Sequence, residues 1–183
     1  MTGTMIDHWL PQYQVSASYS ILVNASDEKT YAALKQARFS DLPVVRVLMG
    51  LRGYGRRRSK TTQSDSRENV RGPFLELAAI PKREVVLGVA GRFWRPDGGI
   101  VRDLTPDQFA DFHRQGYARA VWSFSLNPSN DATQLTTETR IQTFGRKAAV
   151  KFRAYWLLVG PFSGLIRKAM LREVKRIAER HAA

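Results

Sequence analysis

Cysteine is absent from this sequence and histidine occurs only three times. Without cysteine there are no disulfides, no thiolate nucleophile and no Cys-based metal site, a composition that fits a cytoplasmic chain. His8, His113 and His181 are scattered, with no carboxylate or second histidine at ligand spacing, so no metal site is expected. Long apolar runs are also missing. The longest, residues 155–166, is broken by Gly160, Pro161 and Gly164 and is too short to span a bilayer. The first twenty residues contain Asp7, His8 and Pro11 and never build the apolar stretch of a secretory signal. The expected localisation is therefore cytoplasmic.

Chemistry-bearing motifs are equally sparse. Gly53 and Gly55 form a lone pair that no helical pattern follows, so they do not make a phosphate loop. The run from Gly160 to Gly164 resembles a nucleophile elbow superficially, but Ser163 comes one position late and lies within a helical pattern. No catalytic constellation and no cofactor site emerge, and an enzyme is the less favoured reading.

What is present is a chain of 183 residues with 43% hydrophobic residues and four tryptophans, enough to bury one sizeable core in a single domain. Its net charge of +13 is concentrated in two places. Residues 52–72 hold seven basic against two acidic side chains, and residues 146–183 hold ten against two. Such segments read either as a solvated loop and an outer helix face, or as a surface for nucleic acid, anionic lipid or an acidic partner. On the second reading Arg56, Arg57 and Arg58 are the candidate polyanion contacts. Tyr54 is the loop's only aromatic residue, which counts against base stacking and hence against nucleic acid.

Along the chain, Tyr13, Val15, Ala17, Tyr19, Ile21 and Val23 alternate as in a half-buried strand. Ser26 offers an N-cap to a short helix over 31–37, and Pro43 opens a second over 44–51. Residues 53–72, almost devoid of apolar side chains, read as a mobile loop. Two strands, 74–80 and 84–94, form a hairpin through Pro81, Lys82 and Arg83. Thr105, Pro106 and Gln108 spell a capped helix start. A second hairpin pairs 118–126 with 134–144. From residue 147 the period becomes helical: Phe152, Trp156, Val159, Ser163, Ile166, Met170 and Val174 mark a stripe about thirty residues long, kinked but not ended at Gly160-Pro161. A single antiparallel sheet needs a cover for its apolar face, and only this last helix is long enough. The fold class is thus α+β.

The chain resembles the SRPBCC superfamily of helix-grip proteins, which includes START lipid-transfer domains, pollen-allergen-like proteins and polyketide cyclases, and more narrowly an uncharacterised bacterial group within it. The resemblance spans about residues 12–180. It is carried by Glu84-Val85-Val86-Leu87-Gly88, Gly91-Arg92-Phe93-Trp94-Arg95-Pro96, Thr137-Glu138-Thr139-Arg140, Phe152-x-x-Tyr155-Trp156 and Pro161-Phe162-Ser163-Gly164-Leu165-Ile166-Arg167. It implies a curved sheet gripping the long helix around a cavity for a hydrophobic small molecule or lipid. Phe93, Trp122, Phe124, Phe152 and Trp156 are then the expected lining. Glu76 is expected on the inner face with Phe74, Ala78, Val85, Leu87, Val89 and Phe93 if the hairpin turns at Pro81-Lys82; a one-residue shift would expose it. Inside, it could anchor or protonate a ligand. Glu138 and Arg140 fall on the opposite face as exposed cross-strand partners.

Overall fold

The computed structural model describes residues 4–37, 39, 74–95, 97 and 99–180. The second predicted helix, over 44–51, and the basic loop with Arg56, Arg57 and Arg58 lie outside the described residues.

Strand β1 (Val15–Val23) is followed by helix α2 (Asp27–Gln36), started by the Ser26 side chain accepting from the Lys29 N–H and by Asp27 and Glu28 in the first turn. Strands β2 (Leu75–Ile80) and β3 (Glu84–Gly91) form the first hairpin, turning where predicted, with Lys82 in the left-handed region at φ 62°. Helix α3 (Pro106–Ala110) begins with the predicted reciprocal cap between Thr105 and Gln108. Strands β4 (Ala118–Ser129) and β5 (Ala132–Thr143) make the second hairpin. Its turn is tighter than expected because Asn130 adopts φ 51°, which asparagine tolerates, and the strands pair up to Ser129 and Ala132. Helix α4 (Arg146–Arg180) closes the chain, and Pro161 lies inside it without ending it.

The five strands form one curved antiparallel sheet in the order β1-β5-β4-β3-β2. Its register sorts side chains onto two faces. Val85, Leu87 and Val89 pair with Phe124, Trp122 and Ala120, and those with Thr137, Thr139 and Ile141, across the inner face. Helix α4 and α2 lie on this face. Near the C-terminal end of α4, Met170, Leu171, Val174 and Ala178 pack with Leu34, Phe39, Phe124 and Leu135. Near its N-terminal end, Phe152 packs with Ala118 and Ile141. Between these anchored ends the helix meets β1 at Gly164, where an added Cβ would stand 2.5 Å from the Tyr19 hydroxyl oxygen. Only glycine permits that approach.

The outer face carries a second core that the sequence reading lacks. A short helix α1 (Met5–Trp9) lies on it, placing Ile6 and Leu10 against Val86, Ala90 and Val121, while Phe109 of α3 and Leu77 complete the cluster. Arg140 is correspondingly not exposed, as its alternation had suggested, but only 8% accessible. Its guanidinium holds Asp7 at 2.7 Å and Glu138 at 2.6 Å and lies over the Tyr13 ring.

Leu77 is the extra residue of a bulge in β2: Glu76 pairs with Leu87, yet Ala78 pairs with Val86. The bulge splits the predicted inner-face set. Glu76 shares its side with Leu87 and Trp122, whereas Ala78 turns outward into the second core.

Candidate functional site

Between the two anchored ends of α4 the sheet and helix line a half-open cavity of about 410 Å³. The gap exists because the central rows of the sheet offer small or mid-sized side chains there, Ala120, Thr139 and Val89, while the helix turns opposite carry Gly160 and Ser163. Trp122 forms the floor. Its indole N–H donates to the Thr137 hydroxyl at 2.6 Å, and its ring packs edge-on to Phe74. Phe152 and Trp156, stacked on each other, form one end wall, with Phe93 beside them. Leu158 and Phe162 stand at the rim on the outer side of the helix.

Of the sequence-predicted lining, Phe93, Trp122, Phe152 and Trp156 reach the cavity. Phe124 does not: it is fully buried one step deeper, with its ring 4.9 Å from that of Trp122 and 5.9 Å from that of Phe39. Phe39 and the α2 side chains fill the space above it, so this end of the sheet is solid core. Glu76 is half-buried on the inner side of the edge strand but is not part of the cavity wall. Among the described residues lining the cavity there is no carboxylate and no histidine. No cluster of three potential metal ligands occurs among the described residues either.

Sequence reasoning missed Arg167. It sits on the buried side of α4, one residue after Ile166, at the end of the Pro161-to-Arg167 segment that carries part of the family resemblance. In the structure it lines the cavity, its guanidinium 4.8 Å from the centre of the Trp122 ring and its Nη1 donating to the Thr137 hydroxyl at 3.4 Å. Desolvation inside the protein draws its pKa down to about 10, opposed by the influence of Tyr19, so it stays charged at neutral pH. The one available signal was an arginine following apolar residues on the buried phase of a helix.

The outward side of α4 is unusual. Val150, Leu157, Leu158, Phe162 and Leu165 are exposed, Leu157 at 82% and Leu158 at 75%. Lys147, Lys151 and Arg153 flank this stripe at one end, Lys168 and Arg172 at the other, and residues 146–172 contain no acidic side chain. No helix among the described residues is long and apolar enough to cross a membrane.

No family model and no curated protein sequence matches the chain. Solved structures similar to it include CalU16 from Micromonospora echinospora, at 17% identity over 91% of this chain and 85% of that one, with a TM-score of 0.34. A Helicobacter pylori hypothetical protein, jhp0584, shares 9% identity over 94% and 93%, with a TM-score of 0.45. The Zhui aromatase/cyclase from Streptomyces shares 13% identity over 92% and 96%, with a TM-score of 0.33.

Proposed function

We propose that this protein binds a hydrophobic small molecule or lipid in the cavity between α4 and the sheet. The observation that carries the reading is the cavity itself: about 410 Å³, walled by Trp122, Phe152 and Trp156, within the usual size range of small-molecule sites. The absence of a carboxylate or histidine from its described wall favours binding over acid–base catalysis. Burying roughly 400 Å² of a ligand contributes about 10 kcal/mol. Association costs of at least about 4 kcal/mol leave a dissociation constant no tighter than the tens of micromolar. Freshly purified protein examined by native mass spectrometry should carry a lipophilic adduct, and titration with fluorescent fatty acids and polycyclic aromatics should quench or shift tryptophan emission. A chain that purifies without adducts and leaves all such probes unbound overturns the reading.

A second reading concerns the outer side of α4. An exposed stripe of mostly aliphatic side chains, on a helix segment (146–172) whose charged residues are all basic, fits an anionic membrane surface better than nucleic acid, because Phe162 alone among its exposed residues is a ring that could stack on a base. The protein should sediment with vesicles containing phosphatidylglycerol and not with pure phosphatidylcholine. Leu157→Ser together with Leu158→Ser should abolish sedimentation while leaving the melting temperature within a few degrees of wild type, since both side chains already face solvent. Equal sedimentation with both vesicle types, or none with either, removes this reading.

A further inference from the structure

A cavity wall that binds plain hydrocarbon has no use for a guanidinium, yet Arg167 is built into this one. An arginine presents five N–H donors. Among the described residues only one bond is made, the 3.4 Å contact to Thr137, while the Arg167 Nε is buried with no partner there. Thr137 has nothing more to give. Its hydroxyl accepts from Trp122 and from Arg167 and donates to the Ser123 carbonyl at 3.0 Å, which uses all its capacity. No carboxylate among the described residues pairs with Arg167. The charge is held by the face of Trp122, a favourable but weak contact beside the desolvation it offsets.

A second unsatisfied group lies in the same wall. Thr139 lines the cavity, and its hydroxyl is buried with no hydrogen-bond partner. It stands on the inner face opposite Trp122 and two residues from Thr137, so it belongs to the same patch of the sheet that Arg167 reaches. Buried polar groups without partners are rare, and each costs free energy that a partner would recover. Both groups can donate and Arg167 carries a positive charge, so the partner that suits both is an acceptor bearing negative charge; Ser163 and Tyr155 are further hydroxyl-bearing residues of a mainly apolar wall.

We propose that the ligand of this cavity is an amphipathic acid, a hydrophobe carrying one carboxylate or comparable anionic group, with that group bonded to Arg167 and Thr139. The inference rests on the cavity being a ligand site and adds the chemical class. The apolar body lies against Trp122, Phe152 and Trp156, and the acid group closes the guanidinium's open donors. A guanidinium matches a carboxylate in two parallel bonds, the strongest pairing available to it. Arg167 thereby acts as the selectivity element that separates acids from the neutral hydrophobes the aromatic wall would otherwise accept equally.

The experiment compares matched pairs on the full-length protein at neutral pH by calorimetry or tryptophan quenching: dodecanoate against dodecanol, and 2-naphthoate against 2-naphthalenemethanol. The acid of at least one pair should bind about ten- to a hundredfold tighter than its alcohol. Arg167→Met should erase that gap while leaving the alcohol's affinity within about threefold. Thr139→Val, which keeps shape and removes only the hydroxyl, should narrow the gap and serves as the second variant if Arg167→Met does not fold. Equal binding of acid and alcohol to wild type overturns the acid proposal and leaves the cavity as a site for neutral hydrophobes. Binding of neither pair overturns the cavity reading itself. An acid preference that survives in both variants overturns the assignment to Arg167 and Thr139.

Discussion

Trp122→Ala should destabilise the protein by about 3–5 kcal/mol and weaken binding of any cavity ligand at the same time. The Trp122 side chain joins several parts of the site. It touches Phe74, just before the edge strand β2, Phe124 from its own strand and Arg167 from the helix, and its indole N–H bonds Thr137. Truncation removes the ring's buried area and leaves a void the sheet cannot close, because the neighbouring rows are fixed by the β3 and β5 pairings of β4. The new void merges with the existing cavity, so cavity volume should rise in a structure of the variant. Arg167 loses the ring that shields it, which adds a polar cost to the apolar one. Urea unfolding followed by circular dichroism should show a lower midpoint at unchanged slope. Domains of this size have only about 5–15 kcal/mol in total, so roughly a fifth or more of the stability is at stake. Trp122→Phe keeps most of the area and loses the bond to Thr137, and should cost clearly less. A loss below about 1 kcal/mol for Trp122→Ala would mean the ring is not part of the packed wall.

The periodicity that places Trp122, Phe152 and Trp156 is also what made the fold legible. Alternation marked β1, β4 and β5, the 3.6-residue stripe marked α4, and the Thr105 cap marked α3; in β1 burial is one-sided and the alternation is clean, whereas β4 also buries Val121 on its outer face and is marked by its inner aromatics. Where both faces are buried the pattern loses its sign. Strand β3 reads Glu-Val-Val-Leu-Gly-Val-Ala-Gly, nearly continuous apolar sequence, and that run was the trace of an outer core covered by α1 and α3. Helix α1 itself has five residues and one buried side chain, Ile6, too short for any period to show. Phe124 and Trp122 are indistinguishable as sequence, two inward aromatics two residues apart. Which one meets a cavity depends on what α2 and Phe39 place above it, information that lives in tertiary packing. Arg167 was hidden for a related reason: a basic residue on a helix reads as solvated until the sheet is seen beneath it.

Arg140→Met should cost about 2–3 kcal/mol and loosen the N-terminal helix specifically. The guanidinium is nearly buried and ties α1 to β5 through three partners, pairing with Asp7 of α1 and Glu138 of its own strand and donating to the carbonyl of Leu10, which caps α1, at 3.4 Å. Burial pulls its pKa down, but the bonds to Glu138 and Asp7 more than offset this and hold it above the ordinary arginine value. Removing one member of a buried ion pair typically costs about 3–5 kcal/mol, and the partial exposure of Asp7 and Glu138 reduces that here. The same pairing makes the dock sensitive to acid. Asp7 is held below the usual carboxylate range first by the Thr4 hydroxyl and then by Arg140. A carboxylate depressed in the folded state contributes stability that is fully present above its unfolded pKa of about 3.9 and is lost as pH falls through the lower folded value. Between neutral pH and about 5 the wild type should therefore keep α1 docked, and below about 4 the helix should open ahead of the sheet. Amide exchange resolves the two. The amides of Ile6 to Leu10 should lose protection on acidification while those of β4 and β5 keep theirs, and in Arg140→Met they should be poorly protected already at neutral pH. Uniform loss of protection across the sheet and α1 together would show that the N-terminal helix is not an independently held element.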